Sequence, residues 1–112
     1  MERVIKIEGA EIGLKVSAGT VRTYSELFNR DLITDMATVE DDIIKHKTMS
    51  TDSSRTAENL IWLMAKEYDP SIPDIKEWLD SFSPYFIFSA VVYVIGMWRE
   101  NLVTLNKSKK KI

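Results

Sequence analysis

Apolar and charged residues alternate over the first sixteen positions of the chain, and this alternation predicts a β-hairpin. The alternating apolar residues are Ile5, Ile7, Ile12, Leu14 and Val16. A four-residue turn at 8–11, whose glycine tolerates a positive φ, is expected to pair Ile7 with Ile12 and Ile5 with Leu14. These side chains then share one face of the hairpin. Because two strands alone are marginally stable, we expect that face to pack on helices.

Apolar residues at helical spacing then predict a series of helices. The first is expected to begin after Thr20 as its N-cap, and Asn29 suits the left-handed residue at its end. Asp31 is placed to cap a short second helix. A longer helix over about residues 53–68 is expected to end before Pro70, because proline disfavours helix in the residue that precedes it.

The stretch between the second and third predicted helices is polar and broken. Residues 37–55 show no sustained apolar period, and 48–54 have the composition of a mobile loop. Further along, Asp74 and Glu77 have capping-box spacing, and Ser83 precedes a proline as an N-cap precedes N1. The expected fold class is α+β, with an N-terminal β-hairpin packed on a mostly helical domain of about four to five helices.

The last predicted helix is apolar on nearly every side. Its apolar run at 84–98 would be only about 22 Å long, against roughly 30 Å for the hydrocarbon core of a bilayer, so we expect no membrane span. Projection at about 100° per residue separates two stripes. The stripe interpreted as the core side comprises Ile87, Val91, Val94, Trp98 and Leu102. The candidate partner-binding stripe comprises Tyr85, Ser89, Val92, Gly96, Arg99 and Val103. The alternative is that this second stripe packs inside the chain.

Composition indicates one globular domain without a charge bias. The chain has 112 residues, of which 45% are hydrophobic and 29% charged, and its net charge of −2 gives no basic field to attract nucleic acid. It contains no cysteine, which excludes disulfides and thiolate metal sites. The first residues lack the apolar region of a secretory signal. We expect a single domain over 1–105 and a disordered, lysine-rich tail over 106–112.

Little in the sequence points to catalysis. His46 is the only histidine and lies between two lysines in a polar stretch, which suits an exposed side chain better than a catalytic base or a metal ligand. Glu40, Asp41 and Asp42 form an acidic cluster, for which a solvated helix end is a simpler interpretation than a Mg²⁺ or Ca²⁺ site. The sequence has no glycine-rich phosphate loop, HExxH or GxSxG motif. We therefore expect no catalytic, metal or cofactor site.

The lysine-rich segment 107–111 allows three interpretations. It is a solubilising disordered end, or a weak contact for a polyanion, or the product of lysine codons that form an adenine run on which ribosomes slip. The third interpretation concerns the encoding nucleic acid, because consecutive lysine codons are rich in adenine.

One short motif after the hairpin is more specific than the rest of the sequence. It has the form Arg-x-Tyr-x-x-x-Phe-x-Arg-Asp and lies where the first two helices are predicted. It comprises Arg22, Tyr24, Phe28, Arg30 and Asp31.

Three weaker features follow the motif: the segments 60–66 and 73–80, and an apolar helix ending near Trp98. With the hairpin and the motif, this order resembles the tail assembly chaperones of long-tailed bacteriophages and prophages of Gram-positive bacteria, over almost the whole chain. Asn29 stands where relatives often have glycine, and it keeps the left-handed turn plausible.

The resemblance implies a non-enzymatic role in the host bacterial cytoplasm. Such proteins coat the long, helical tape measure protein before the tail tube polymerises around it. They are often made in two lengths by a −1 frameshift, and this chain would be the short form. The implied partners are the tape measure protein, a frameshift-extended form and further copies of the chain. The alternative is a small structural tail-completion or head–tail adaptor protein. A DNA-binding protein is disfavoured, because no predicted helix is basic.

Overall fold

The elements of the fold follow in the order predicted from the sequence. A computed structural model describes the backbone of residues 1–110 and the side chains of residues 1–100. The elements are β1 (Glu2–Ile7), β2 (Ala10–Lys15), α1 (Ala18–Phe28), α2 (Leu32–Asp41), a π-helical turn (Asp42–His46), α3 (Thr51–Tyr68), α4 (Ile75–Leu79) and α5 (Phe86–Lys110). The predicted α+β class is confirmed: the chain has an N-terminal hairpin and five α-helices, of which α3 and α5 pack against the hairpin. Among residues 1–110, no helix combines the length and apolar content needed to cross a bilayer.

The hairpin forms where the sequence predicts it, but with a different register. β1 and β2 are antiparallel with Ile5 opposite Ile12, so the predicted pairing of Ile7 with Ile12 is wrong. The turn has only two residues, Glu8 and Gly9, with φ of 54° and 79°. Two positive φ values match the right-handed twist of the strands, which favours this shorter turn. The change in register is two residues, so the apolar face is preserved. Its buried residues are Ile5, Ile7, Ile12 and Leu14.

Helix α3 is the centre of the core. It contacts β2 and all four other α-helices, which explains why its buried surface is wider than one amphipathic stripe. At its end Tyr68 lies on Gly13 of β2, where a Cβ atom would come within 2.1 Å of the ring carbons. As predicted, α3 ends before Pro70. Its buried apolar residues are Ala57, Leu60, Ile61, Leu63, Met64 and Ala65.

The predicted loop over 48–54 is wrong for its second half, because residues 51–54 form the first turn of α3, whereas 48–50 lie between the helices. The carboxylate of Asp42 accepts hydrogen bonds from the Ser50 N–H (3.1 Å) and the Ser53 hydroxyl (2.6 Å). Ser50 also caps α3, because its hydroxyl accepts from the Ser53 N–H at 3.1 Å. Polar groups rather than an apolar period therefore organise this segment.

The helix ends around α1 agree with the sequence in two of three positions. Asn29 is left-handed, with φ of 55°, and Asp31 caps α2 by accepting the Thr34 N–H, as predicted. Thr20 is not an N-cap, because α1 already begins at residue 18. Its hydroxyl instead accepts from the Ser17 N–H (2.9 Å) and donates to Glu67 of α3 (2.8 Å). Thr20 therefore joins the start of α1 to α3.

The two later caps differ from their predictions. The side chain of Asp74 precedes α4 but makes no capping hydrogen bond, so the predicted capping box is absent there. The Ser83 hydroxyl accepts from the Tyr85 N–H at 3.2 Å, as expected of a cap, but α5 itself begins at Phe86, two residues after the expected Pro84.

Helix α5 extends to Lys110 and so includes most of the segment for which a disordered tail is predicted. Lysine is a good helix former, which is compatible with this extension. The rest of that segment, 111–112, lies outside the described residues, and the domain limit at residue 105 stays a prediction.

Candidate functional site

Helix α5 is joined to the hairpin just before its start and again near its middle, and these contacts determine which of its sides reaches solvent. At its start the Glu8 carboxylate accepts from the N–H (2.9 Å) and hydroxyl (2.5 Å) of Ser83, and these bonds lower the pKa of Glu8. Further along, Glu100 pairs with Arg3 of β1 at 2.7 Å. These two contacts lay α5 along the hairpin.

An aromatic cluster fixes the first turn of α5. Phe82 and Phe86 stack with their ring centroids 3.9 Å apart, and Trp78 of α4 packs edge-on to both rings. Trp78 and Phe86 are buried. Trp62 and Trp98 are only partly buried and pack against the core. The cluster therefore joins the first turn of α5 to α4.

The core side of α5 is wider than the stripe predicted for it. Val91 and Val94 are buried, whereas Ile87 and Trp98 are only partly buried, and the side chain of Leu102 lies outside the described residues. The stripe is broader because α5 packs on both α3 and β1. The buried residues of α5 are Phe86, Ala90, Val91, Val94, Ile95 and Met97.

Apolar side chains also remain in water along the opposite side of α5. Tyr85 is 78% exposed, Phe88 47%, Val92 51% and Tyr93 48%. We call this surface the exposed α5 face, and it comprises Tyr85, Phe88, Ser89, Val92, Tyr93 and Gly96. Contiguous apolar surface of this kind marks interaction sites more often than single exposed residues do.

The exposed α5 face includes four of the six residues predicted to bind a partner, namely Tyr85, Ser89, Val92 and Gly96. Arg99 is also exposed, but its guanidinium lies 3.5 Å from Glu40 of α2. The side chain of the sixth residue, Val103, lies outside the described residues.

Two exposed aromatic residues were missed by the helical projection. Phe88 and Tyr93 adjoin the predicted stripe, and Phe88 is three residues after Tyr85 and four before Val92. That spacing, i, i+3 and i+7, is the signal that would have identified Phe88. Tyr93 lies four residues after Ser89 and extends the same surface.

Among the described residues, no other element packs against Gly96. A Cβ atom added there would have no other atom within 4 Å, and its φ is an ordinary helical one. Glycine in a helix interior costs about 1 kcal/mol relative to alanine. A glycine at this position lets a neighbouring backbone approach α5 closely.

The Arg-x-Tyr-x-x-x-Phe-x-Arg-Asp motif lies elsewhere and binds the first helices together. Tyr24 donates its hydroxyl proton to Asp35 of α2 at 2.7 Å. Arg30 binds the same carboxylate through two N–H groups, at 2.7 Å and 2.9 Å. The Arg30 hydrogen bond, then that of Tyr24, holds the pKa of Asp35 below its ordinary value. Burial and the Asp35 carboxylate raise the pKa of Tyr24.

The other motif residues are also structural. Phe28 packs between the rings of Tyr24 and Trp62, with centroid separations of 5.0 Å and 6.5 Å. Asp31 caps α2, and Arg22 pairs with Glu26 on the surface of α1. The motif therefore stabilises the fold around α1, α2 and α3, and the acid partner Asp35 lies just outside it in the sequence.

The acidic cluster considered as a cation site is engaged in contacts within the chain. Glu40 faces Arg99, Asp41 pairs with Lys45 at 2.9 Å, and Asp42 binds the serines before α3. His46 is exposed, with its Nδ1 3.9 Å from Asp42. In the described part of the chain, no three acidic, histidine or cysteine residues are grouped as a metal site requires.

No protein-family model matches the chain, and neither a curated protein nor a solved structure matches it.

Proposed function

We propose that the chain is a tail assembly chaperone that binds the tape measure protein through the exposed α5 face. Two independent features support this proposal. The resemblance of the sequence to this class extends over almost the whole chain, and α5 presents apolar side chains to solvent beside a glycine that the fold does not require. The exposed face is the observation that carries the proposal.

The chemistry of this surface suits a helical partner. An amphipathic helix binds through apolar residues at i, i+3, i+4 and i+7, and Tyr85, Phe88 and Val92 repeat at that spacing. A long helical protein that waits for its tube to polymerise exposes apolar stripes that aggregate. Covering such a stripe with the exposed α5 face would keep it in solution without any catalytic group. The place of action is then the host bacterial cytoplasm.

Co-expression with the tape measure protein encoded nearby tests the proposal. We expect the chain to keep that protein in the soluble fraction and to co-purify with it. Val92→Asp should fold normally, because Val92 is 51% exposed, yet should lose most of this binding. Ile33→Asp is the matched control, since Ile33 is an exposed apolar residue of α2 at 53% and lies outside the face. Equal binding by both variants would refute the assignment of the face.

Gly96→Leu provides a second test that does not introduce a charge. The side chain enters open space in the isolated chain, so the fold should be retained or slightly stabilised. If a partner backbone approaches Gly96 closely, the variant should bind the tape measure protein more weakly. Undiminished binding would show that the partner does not pass over this position.

Two further measurements separate the chaperone from the adaptor alternative. An assembly chaperone should be absent from purified virions, whereas a tail-completion or adaptor protein should be retained in them. The encoding DNA should also contain a slippery adenine run near the codons of the lysine-rich segment, with an open −1 frame beyond it. Retention in virions without such a frame would favour the adaptor.

A further inference from the structure

The sheet of this chain has only two strands, so each strand has one edge that is not paired within the described fold. Helix α3 packs against β2, where Tyr68 lies on Gly13. On β1 the side chains of Glu2, Val4 and Lys6 are exposed, and Val4 is 52% exposed. β1 contacts α5, but less extensively than β2 contacts α3, and it therefore presents the more accessible edge.

The register determines which backbone groups face this edge. A two-residue turn makes the flanking residues, Ile7 and Ala10, a hydrogen-bonded pair, and bonded and non-bonded pairs then alternate along the hairpin. Val4, opposite Gly13, falls in a non-bonded pair, as do Glu2 and Lys6. Their N–H and C=O groups therefore point away from β2. Within residues 1–100, no hydrogen bond outside the hairpin is made to these groups.

The residues of this edge are complementary to themselves. When two β1 strands pair antiparallel with Val4 opposite Val4, Glu2 of each copy lies opposite Lys6 of the other. Within each hairpin, Glu2 already faces Lys15 and Lys6 faces Glu11. Each outer row of charges would then read Lys15, Glu2, Lys6 and Glu11 across four strands, alternating in sign. Opposite charges directly across strands are stabilising, and like charges are destabilising.

We propose that two copies of the chain associate through β1, antiparallel and centred on Val4, to form one continuous four-stranded sheet. The interface is symmetric, each copy contributing the same edge, and the main-chain hydrogen bonds satisfy backbone groups that water otherwise solvates. The two exposed valines meet at the centre of the outer face. This inference does not depend on the proposed function, since it uses β1 and not the exposed α5 face.

Charge reversal at the two ends of the strand tests both the interface and its direction. Glu2→Lys places lysine opposite lysine in the homodimer, and Lys6→Glu places glutamate opposite glutamate. Each variant alone should raise the dissociation constant of the dimer about tenfold or more, because two like-charge pairs across the interface replace two opposite-charge pairs. An equimolar mixture of the two variants restores both opposite-charge pairs and should dimerise like the wild-type chain. Sedimentation velocity over a range of concentrations measures all of these.

Lys15→Glu is the matched control. It makes the same change in net charge as Lys6→Glu and creates the same kind of like-charge pair inside the hairpin, but on β2. Its dimer should dissociate as the wild-type dimer does. A monomeric wild-type chain would overturn the proposal, because charges on an edge strand also serve to prevent pairing. The proposal would also be overturned if the mixture of Glu2→Lys and Lys6→Glu associated as weakly as each variant alone. A third refuting result is a dimer that Val92→Asp abolishes and that neither Glu2→Lys nor Lys6→Glu weakens.

Discussion

Replacement of Asp35 by asparagine tests whether the network around this carboxylate holds α1, α2 and α3 together. Asp35 is 5% exposed and accepts three hydrogen bonds, one from Tyr24 and two from Arg30. Asparagine has nearly the same volume, so the substitution leaves no cavity. It removes the negative charge and one of the two accepting oxygens.

The size of the effect follows from these contacts. Tyr24 and the Nε of Arg30 donate to the same oxygen, Oδ2, so an asparagine oxygen placed there can keep both as bonds to a neutral acceptor. The second Arg30 bond, to Oδ1, is lost, because an amide N–H group takes the place of that acceptor. Hydrogen bonds to charged groups contribute about 1.5–3 kcal/mol each. The Arg30 side chain is 58% exposed and regains water when released, so the loss is smaller than the sum of two such bonds. We expect the free energy of unfolding to fall by about 2 kcal/mol.

Urea denaturation followed by circular dichroism measures this change. With a slope of about 1–3 kcal/mol per molar urea, the midpoint should fall by roughly 1 M while the slope stays unchanged. The melting temperature should fall by roughly 8 °C. A lower slope would mean that the native state itself had loosened.

Asp31→Asn is the matched control, because it makes the same chemical change four residues earlier. Asp31 is an exposed N-cap, and asparagine caps helices about as well as aspartate. This variant should therefore unfold close to the wild-type midpoint. If Asp35→Asn and Asp31→Asn shift the midpoint equally, the Asp35 network is not a stabilising element, and our reasoning about the motif is wrong.

Three further predictions concern the pH dependence and the packing of the fold. The pKa of Asp35 is lower in the folded chain than its ordinary value of 3.8, so the carboxylate is protonated more readily in the unfolded chain. The stability that the ionised carboxylate contributes is therefore fully present above pH 3.8 and is lost as the pH falls through the lower, folded-state pKa. Arg30→Ala removes the largest cause of the lowered Asp35 pKa, so this variant should unfold at a higher pH than the wild-type chain in an acid titration. An unchanged midpoint would contradict the stabilising role given to the Arg30–Asp35 pair. Gly13→Ala should lower the free energy of unfolding by about 1–2 kcal/mol in urea titrations, because the added Cβ displaces Tyr68, and should be neutral or stabilising in a Tyr68→Ala background. Thr20→Val keeps the side-chain shape but loses the hydrogen bonds to Ser17 and Glu67, and it should destabilise the chain by about 1–2 kcal/mol in the same assay. A wild-type midpoint would show that these two bonds do not contribute to stability.

Features that depend on residues close together in the chain could be predicted from the sequence alone. The apolar face of the hairpin follows from a period of two, and the helical segments from a period near 3.6. Asn29 as a left-handed helix end and Asp31 as a cap were also predictable, because each acts within one turn of its own position.

Contacts between residues farther apart decided the rest. The register depended on whether the turn held two residues or four, and both choices bury the same face. The order of the segment before α3 depends on Asp42, which bonds to serines eight and eleven residues later. The partner of Tyr24 and Arg30 is an aspartate that no helical period identifies.

The candidate site shows most clearly which features were predictable from the sequence and which depended on tertiary contacts. The sequence by itself determined that α5 is apolar on nearly every side, and it predicted a stripe of which Tyr85, Ser89, Val92 and Gly96 are exposed. It did not place Phe88 and Tyr93 on that side, because in a helix that is apolar all round several apolar stripes have helical spacing and the pattern does not say which one faces water. Only the tertiary structure, by packing α5 on α3 and β1 together, decided which apolar side chains are buried and which remain in water.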